Sequence, residues 1–423
     1  MRSFIALVVL TGLVGLVSSG CAKGKDKETV KEKQTGTSPE KKGESGKDNL
    51  VSLPQDKKGE LGKKEDGNEK PPDVVKPAAG DEFPGLSLGT MPKKDATREA
   101  KLAADRNKRL AQLQIVDAKN LAALKKRPGE KPPGAVAEFG DIEPPLAFSP
   151  DGRFLAGTGQ DAKGQVAIAL IDLSTGKLMW AVPCKIRSIV QFSEDGSLFE
   201  IGRELKLRDL KTGEAKKGIP IREIASAVLS PNGKFLAIWK LDEPFSVLDV
   251  STEKEVFKGL DKLVHNAAPT FSPSSELLAC AVSREGKGTL LVFDPGTKKI
   301  LRKRPYQDTV KEMQFSPDGW SLAMVVQKES GGQDLLEWAL DSDEQRKIAE
   351  TKSIFRALDY SPDGKLLVFG EGDDIVFFDL AKGERVRQFP GRTPLLSPGG
   401  RLLATQGVDI YDVNDLPNPK KGP

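Results

Sequence analysis

One nine-residue block recurs along this chain and restricts what it can fold into. It first appears as Phe148-Ser149-Pro150-Asp151-Gly152-Arg153-Phe154-Leu155-Ala156. Weakened copies read FSEDGSLFE from Phe192, LSPNGKFLA from Leu229 and FSPSSELLA from Phe271. Further copies read FSPDGWSLA from Phe315, YSPDGKLLV from Tyr360 and LSPGGRLLA from Leu396. Their serines, Ser149, Ser193, Ser230, Ser272, Ser316, Ser361 and Ser397, follow one another at intervals of 44, 37, 42, 44, 45 and 36 residues. Within each block the apolar residue before the serine ends one strand. Proline then presets φ, aspartate bonds its own backbone, and glycine supplies positive φ. The apolar pair that follows opens a second strand, so each block is a hairpin between two buried strands.

A second signal follows most of these turns by about twenty residues. It is an aspartate flanked by apolar residues and then a turn, as in Ile171-Asp172-Leu173-Ser174-Thr175-Gly176 and Leu248-Asp249-Val250-Ser251-Thr252. Asp209, Asp294, Asp379 and Asp412 repeat it, and only the fifth copy, around Trp338-Ala339-Leu340-Asp341, blurs it. The two signals together imply four short strands per unit. Units of about 40–45 residues with turn chemistry at a constant place are the signature of propeller blades.

The blocks resemble the WD-repeat (WD40-like) β-propellers, in particular the FSPDG-rich bacterial type. The resemblance covers residues 135–416. It implies an all-β fold, a seven-bladed ring of four-stranded antiparallel blades. Two marks of that family are missing. No repeat carries Gly-His, and none ends its third strand in Trp-Asp. The hydrogen-bond network those residues make in the family does not transfer, so blade stability is expected to rest more on packing.

Ring closure follows from the two ends of the repeat region. The last unit has its turn, a second strand at 401–404 and a third at 408–413, and then meets Leu416-Pro417-Asn418-Pro419. Proline cannot donate to a ladder, so no long fourth strand follows there. The missing strand is expected at 135–140, before the first turn. It would complete the last blade and tie the ring shut.

The N-terminus reads as an address. Met1-Arg2, an apolar run from Phe4 to Val17, and Ser18-Ser19-Gly20-Cys21 form a secretory signal over residues 1–20. The run is too short to span a bilayer as a mature helix. Cys21 resembles the lipidated cysteine of bacterial lipoproteins, although Ser18 stands where that family usually has leucine. This implies a protein of the cell envelope held at a membrane through Cys21. Residues 21–92 are rich in Lys, Glu, Gly, Ser, Asp and Pro, a composition that cannot bury enough apolar surface to offset its ordering entropy. They are expected to be a disordered linker with an r.m.s. span of about 45 Å. Over 93–128, alanine, leucine and charges replace glycine and proline, and Asp95 can cap a helix that Pro128-Gly129 stops. That helix could dock on the ring, assemble as a coiled coil, or present a basic face to anionic lipid. Residues 417–423 read as a disordered tail.

The chain offers little for catalysis. It has one histidine, His265, placed in the connection into the fourth blade, so a nucleophile has at most one imidazole base. No zinc spacing, calcium loop or phosphate-binding loop occurs, and no cofactor is expected. Asp151, Asp195, Asp318 and Asp363 occupy equivalent turns of different blades, which makes them turn residues and not a carboxylate cluster. The four tryptophans fall in or beside strands and read as core. Cys184 and Cys280 belong to well-separated blades and are expected to be unpaired, since a bridge needs Cα atoms within about 7 Å. With 65 basic and 61 acidic residues, nothing calls for nucleic acid.

What remains is a binding surface. In the WD-repeat fold, loops between second and third strands share a face with the connections between blades. Here they carry Asp161, Lys163, Glu243, Arg284, Glu285, Lys328, Glu371 and Asp373, charges of both signs. That suits an unknown protein partner recognised by electrostatic complementarity. The expected function is a membrane-anchored, non-catalytic protein-interaction module. The competing class is an extracytoplasmic enzyme, or a propeller that binds a small ligand or glycan in its central channel. A clustered set of inward-facing acidic residues with raised pKa values in the central channel would favour that second class.

Overall fold

The computed structural model describes residues 86–92, 94–95, 97, 104, 137–138, 142–160, 165–184, 188–221, 224–240, 245–259, 264–265, 267–284, 287–405 and 409–416. The signal segment, most of the linker, nearly all of the expected helix and the tail lie outside them. Two strands precede the repeats, β1 (Ser87–Leu88) and β2 (Ala137–Glu138). Blade 1 comprises β3 (Ile142–Phe148), β4 (Phe154–Gln160), β5 (Val166–Asp172) and β6 (Lys177–Pro183). Blade 2 comprises β7 (Ile189–Phe192), β8 (Leu198–Ile201), β9 (Glu204–Arg208) and β10 (Ala215–Pro220). Blade 3 comprises β11 (Ile224–Leu229), β12 (Phe235–Lys240), β13 (Phe245–Asp249) and β14 (Lys254–Gly259). Blade 4 has a split first strand, β15 (Val264–His265) and β16 (Thr270–Phe271), then β17 (Leu278–Arg284), β18 (Lys287–Asp294) and β19 (Lys299–Tyr306). Blade 5 comprises β20 (Thr309–Phe315), β21 (Ser321–Gln327), β22 (Gln333–Ala339) and β23 (Gln345–Thr351). Blade 6 comprises β24 (Phe355–Tyr360), β25 (Leu366–Glu371), β26 (Asp374–Asp379) and β27 (Glu384–Pro390). Blade 7 comprises β28 (Leu395–Leu396), β29 (Leu402–Ala404) and β30 (Asp409–Asp412).

The fourth strand of blade 7 is β2, antiparallel to β30 with Ala137 opposite Ile410. The ring is therefore closed by the N-terminal strand, as the proline-rich end of the last repeat requires. Seven blades result, as the seven turn blocks imply.

Why the strands read as nearly continuous apolar runs is plain from the packing. Side chains alternate between the two faces of a strand, and both faces of each blade are covered by neighbours. In β17, Leu278, Cys280 and Val282 enter the core shared with blade 3, while Ala279 and Ala281 enter the core shared with blade 5. Seven such cores separate the blades, the last joining Leu402, Ala404 and Ile410 to Leu155 and Ile171 of blade 1. The core between blades 3 and 4 is the most aromatic, with Trp239 against Phe245 at 5.2 Å between ring centroids and Phe257 against Phe293 at 5.6 Å. All four tryptophans are buried, and Cys184 and Cys280 are free.

Three features depart from the sequence reading. Residues 86–92, assigned above to the linker, lie along the outer edge of blade 4. There β1 pairs parallel to β19, with Ser87 N–H donating to Lys298 O at 3.0 Å and Gly89 N–H to Ile300 O at 2.9 Å. Leu86 packs on the core between blades 3 and 4, and Met91 on the core between blades 4 and 5. Few apolar residues suffice here because each fills an existing groove between blades. Lys94 continues the path, over the ring of Trp320 at 5.9 Å and 3.9 Å from Asp341. The Thr97 N–H then donates to Asp95 Oδ1 at 2.9 Å, the expected cap, while the body of the helix lies outside the described residues.

The second departure is His265, which pairs with Val282 in β15 and so belongs to blade 4, not to the connection before it. The third concerns what replaces the missing Gly-His and Trp-Asp network. Packing does not act alone, because every block serine is buried and spans its turn with its hydroxyl. In blade 5 the Ser321 N–H donates to Ser316 Oγ at 2.9 Å, Ser316 Oγ donates to Asp318 Oδ1, and the Trp320 N–H donates to Asp318 Oδ1 at 3.1 Å.

Candidate functional site

The described part of the loop rim is dominated by ion pairs within the chain. Lys328, just after β21, lies 3.1 Å from Asp334 at the start of β22 and 3.6 Å from Glu350 at the end of β23. Asp334 and Glu350 face each other in register, so two lysines, Lys328 and Lys347, gather around two carboxylates. The hydrogen bond to Glu350 raises the Lys347 pKa and lowers that of Glu350. One blade on, Glu371 ends β25 and pairs with Arg385 of β27 at 2.8 Å. Asp373, in the tight turn between β25 and β26, pairs with Arg392 beyond β27. Arg284 closes β17 beside the hairpin to β18. Asp161, Lys163, Glu243 and Glu285 lie outside the described residues. The partners of Lys328, Glu371 and Asp373 come from third and fourth strands and from the next connection, which no local motif reveals.

The opposite face carries the serine-aspartate turns. Asp151, Asp195, Asp318 and Asp363 each accept a hydroxyl two residues back and a backbone N–H two residues on. The Ser193 hydroxyl, with the Ser197 N–H, holds the Asp195 carboxyl below its ordinary range. These carboxylates are spent on their own turns, as the sequence reading requires. The second aspartate series acts likewise, and in blades 1 and 7 it also binds an arginine, Arg153 to Asp172 at 2.8 Å and Arg401 to Asp412 at 3.0 Å.

The channel at the centre of the ring holds residues that the sequence reading missed. Two positions before each block serine stand Ala147, Gln191, Val228, Thr270, Gln314, Asp359 and Leu395, all half-buried. The residues one position before are almost all buried between blades. The innermost strand of each blade has a free edge, and two of these side chains satisfy it. Gln191 Oε1 accepts the Leu229 N–H of blade 3 at 2.7 Å, and Asp359 Oδ2 accepts the Leu396 N–H of blade 7 at 2.9 Å. Glu312 does the same between blades 5 and 6, accepting the Leu358 N–H at 3.3 Å.

Glu312 and Asp359 are reached by the channel but enclosed by the ring on their other sides. Burial pushes the Glu312 carboxyl up to about 7, against the pull of the Leu358 and Ala357 N–H groups and of Arg356. Burial likewise pushes Asp359 up to about 7, against the N–H groups of Leu396 and Tyr360. A cavity of about 520 Å³ opens beside Asp359, walled by the inner strands and turns of blades 6, 7, 1 and 2. A repeat alignment carries the signal for Asp359, since a carboxylate occurs once at that position in seven copies. Among the described residues no group of three or more His, Cys, Asp or Glu side chains could hold a metal.

No protein-family model and no curated protein matches the chain. Its fold is similar to solved propellers. A chain of Kuenenia stuttgartiensis hydrazine synthase superposes with a TM-score of 0.52 at 14% identity, covering 68% of this chain and 99% of that one. The β-propeller domain of Cps50 (Swd1) from Myceliophteria thermophila superposes with a TM-score of 0.52 at 17% identity, covering 64% of this chain and 97% of that one. At such identities the likeness is one of fold, that of a β-propeller.

Proposed function

We propose that this chain is a non-catalytic binding propeller of the cell envelope. It is anchored through lipid on Cys21 and engages a protein partner through its loop rim. The observation that carries the reading is the charge pattern on blades 5 and 6. Lys328, Lys347, Glu350, Glu371, Asp373 and Arg392 set both signs side by side along one rim. Exposed pairs of this kind contribute little to folding, because solvent screens them. They are suited to re-pairing with a complementary surface, which gives specificity and speeds encounter. The channel carboxylates do not oppose this reading. Glu312 and Asp359 stand on different blades, and each is held by backbone N–H groups of the next blade.

Arg392→Glu and Lys347→Glu test the rim separately. Each should slow association with the partner captured from a solubilised envelope fraction, and the deficit should shrink at high salt. Thermal stability should stay within about 0.5 kcal/mol of the parent. Unchanged capture by both variants rules out the rim of blades 5 and 6. The anchor is tested by Cys21→Ser, which should move the processed protein out of the membrane fraction. Retention of that variant in the membrane while its signal is still cleaved rejects lipidation as the anchor.

A further inference from the structure

We propose that the channel cavity between blades 6 and 2 binds a small organic amine with an apolar body and a hydrogen-bond acceptor at its far end. The site is separate from the loop rim, and its wall is built from ring-equivalent positions. Asp359, Leu395, Ala147 and Gln191 stand at the same place in blades 6, 7, 1 and 2, two residues before each block serine. A carboxylate and a carboxamide thus flank an apolar arc made by Leu395, Ala147 and Leu146. The volume of about 520 Å³ lies within the range of small-molecule sites, roughly 300–1,000 Å³.

The hydrogen bonds already made decide what the two polar groups can still do. Gln191 Oε1 is occupied by the Leu229 N–H, which orients the amide and leaves its NH2 group as the end available to a ligand. Asp359 accepts the N–H groups of Leu396 and Tyr360, which leaves part of the acceptor capacity of its carboxylate to a ligand, and no basic side chain pairs with it among the described residues. The other titratable residue of the wall, Tyr360, turns its hydroxyl away to Glu337 at 3.1 Å, inside the core between blades 5 and 6. A half-buried carboxylate on a wall of largely apolar side chains, with no basic partner, is stabilised by a counter-charge. An ammonium ion supplies that charge and donates to Asp359. Methylene groups then cover the arc, and a carbonyl or hydroxyl accepts from Gln191.

The test is calorimetric titration of the full chain with 6-aminohexanamide and, as a neutral match, hexanamide. The first should bind saturably and the second at least tenfold more weakly. Asp359→Asn keeps an acceptor for the Leu396 N–H but removes the charge, and it should erase the preference. Arg392→Glu, on the rim, should leave the preference intact. Equal binding of the two compounds, or no saturable binding of 6-aminohexanamide, overturns the proposal on the parent protein alone. A preference that survives Asp359→Asn overturns it as well.

Discussion

Glu138 lies opposite Asp409 in antiparallel register, so the strand that precedes the first repeat is the outermost strand of the last blade. The ring is held shut by a contact between the two ends of the repeat region, as distant in sequence as the propeller allows. Directly opposed residues of an antiparallel pair bring their Cα atoms to about 4.5–5.5 Å, within reach of a disulfide. Glu138→Cys with Asp409→Cys should therefore crosslink under mild oxidation and raise the unfolding temperature. Glu138→Cys with Leu403→Cys, one strand further in, should not crosslink. A reversed result on a non-reducing gel would place β2 elsewhere.

Arg208 and Glu200 form a buried ion pair in blade 2, each side chain 6% exposed. Ser188 Oγ also donates to Glu200, and Arg208 donates to Gly213 O. Removing one member leaves a buried charge without its partner, which typically costs about 3–5 kcal/mol. Glu200→Ala should lose that much in urea unfolding. Glu200→Leu combined with Arg208→Met should recover most of it, because two apolar groups of similar volume leave no charge behind.

The Ser316 hydroxyl serves its turn twice, accepting from the Ser321 N–H and donating to Asp318. Ser316→Ala leaves the Ser321 N–H and one site on Asp318 without a partner, a loss of about 1–3 kcal/mol. Ser397 differs, because Gly399 stands where the other turns have a side chain, so only the Leu402 N–H bond is lost there. Ser397→Ala should accordingly cost less than Ser316→Ala in the same unfolding assay.

Glu312 and Asp359 make stability fall with rising pH. Their carboxyls, raised to about 7 in the folded ring, titrate near 4 when unfolded. The folded state therefore holds protons that the unfolded state has released. The stabilisation is complete below about pH 4 and is lost as pH rises through 7. The slope per group is at most about 1.4 kcal/mol per pH unit, and channel water reduces it. Glu312→Gln and Asp359→Asn keep an acceptor but no proton. Each should gain stability over the parent between pH 4.5 and pH 8, with the gap largest at pH 8. Thermal unfolding at the two pH values measures this, and a gap that narrows as pH rises would contradict the assignment. The turn aspartates act in the opposite direction and in a lower window. The Asp195 and Asp249 pKa values are lowered, so their contribution is present above the unfolded value near 4 and fades as pH falls below it.

The repeating Ser-Pro-Asp-Gly turns, the aspartate that ends most third strands and the prolines after Leu416 were enough, by themselves, to determine blade number, strand order within a blade and the closing strand. Each of these is a local instruction, either a turn residue demanded by backbone geometry or a residue that cannot enter a ladder. The same holds for the turn carboxylates, whose partners lie two residues away. Other features depend on neighbours that local sequence does not name. Leu86, Gly89 and Met91 look like linker because their grooves are made by blades 3, 4 and 5. Lys328, Glu371 and Asp373 look like free charges because Glu350, Arg385 and Arg392 approach only when later strands pair beside them. Asp359 looks like an ordinary polar residue of a strand that also carries Arg356. Only closing the ring sets it at the free edge of blade 7 and across a cavity from Gln191, and burial there raises its proton affinity against the pull of the Leu396 and Tyr360 N–H groups.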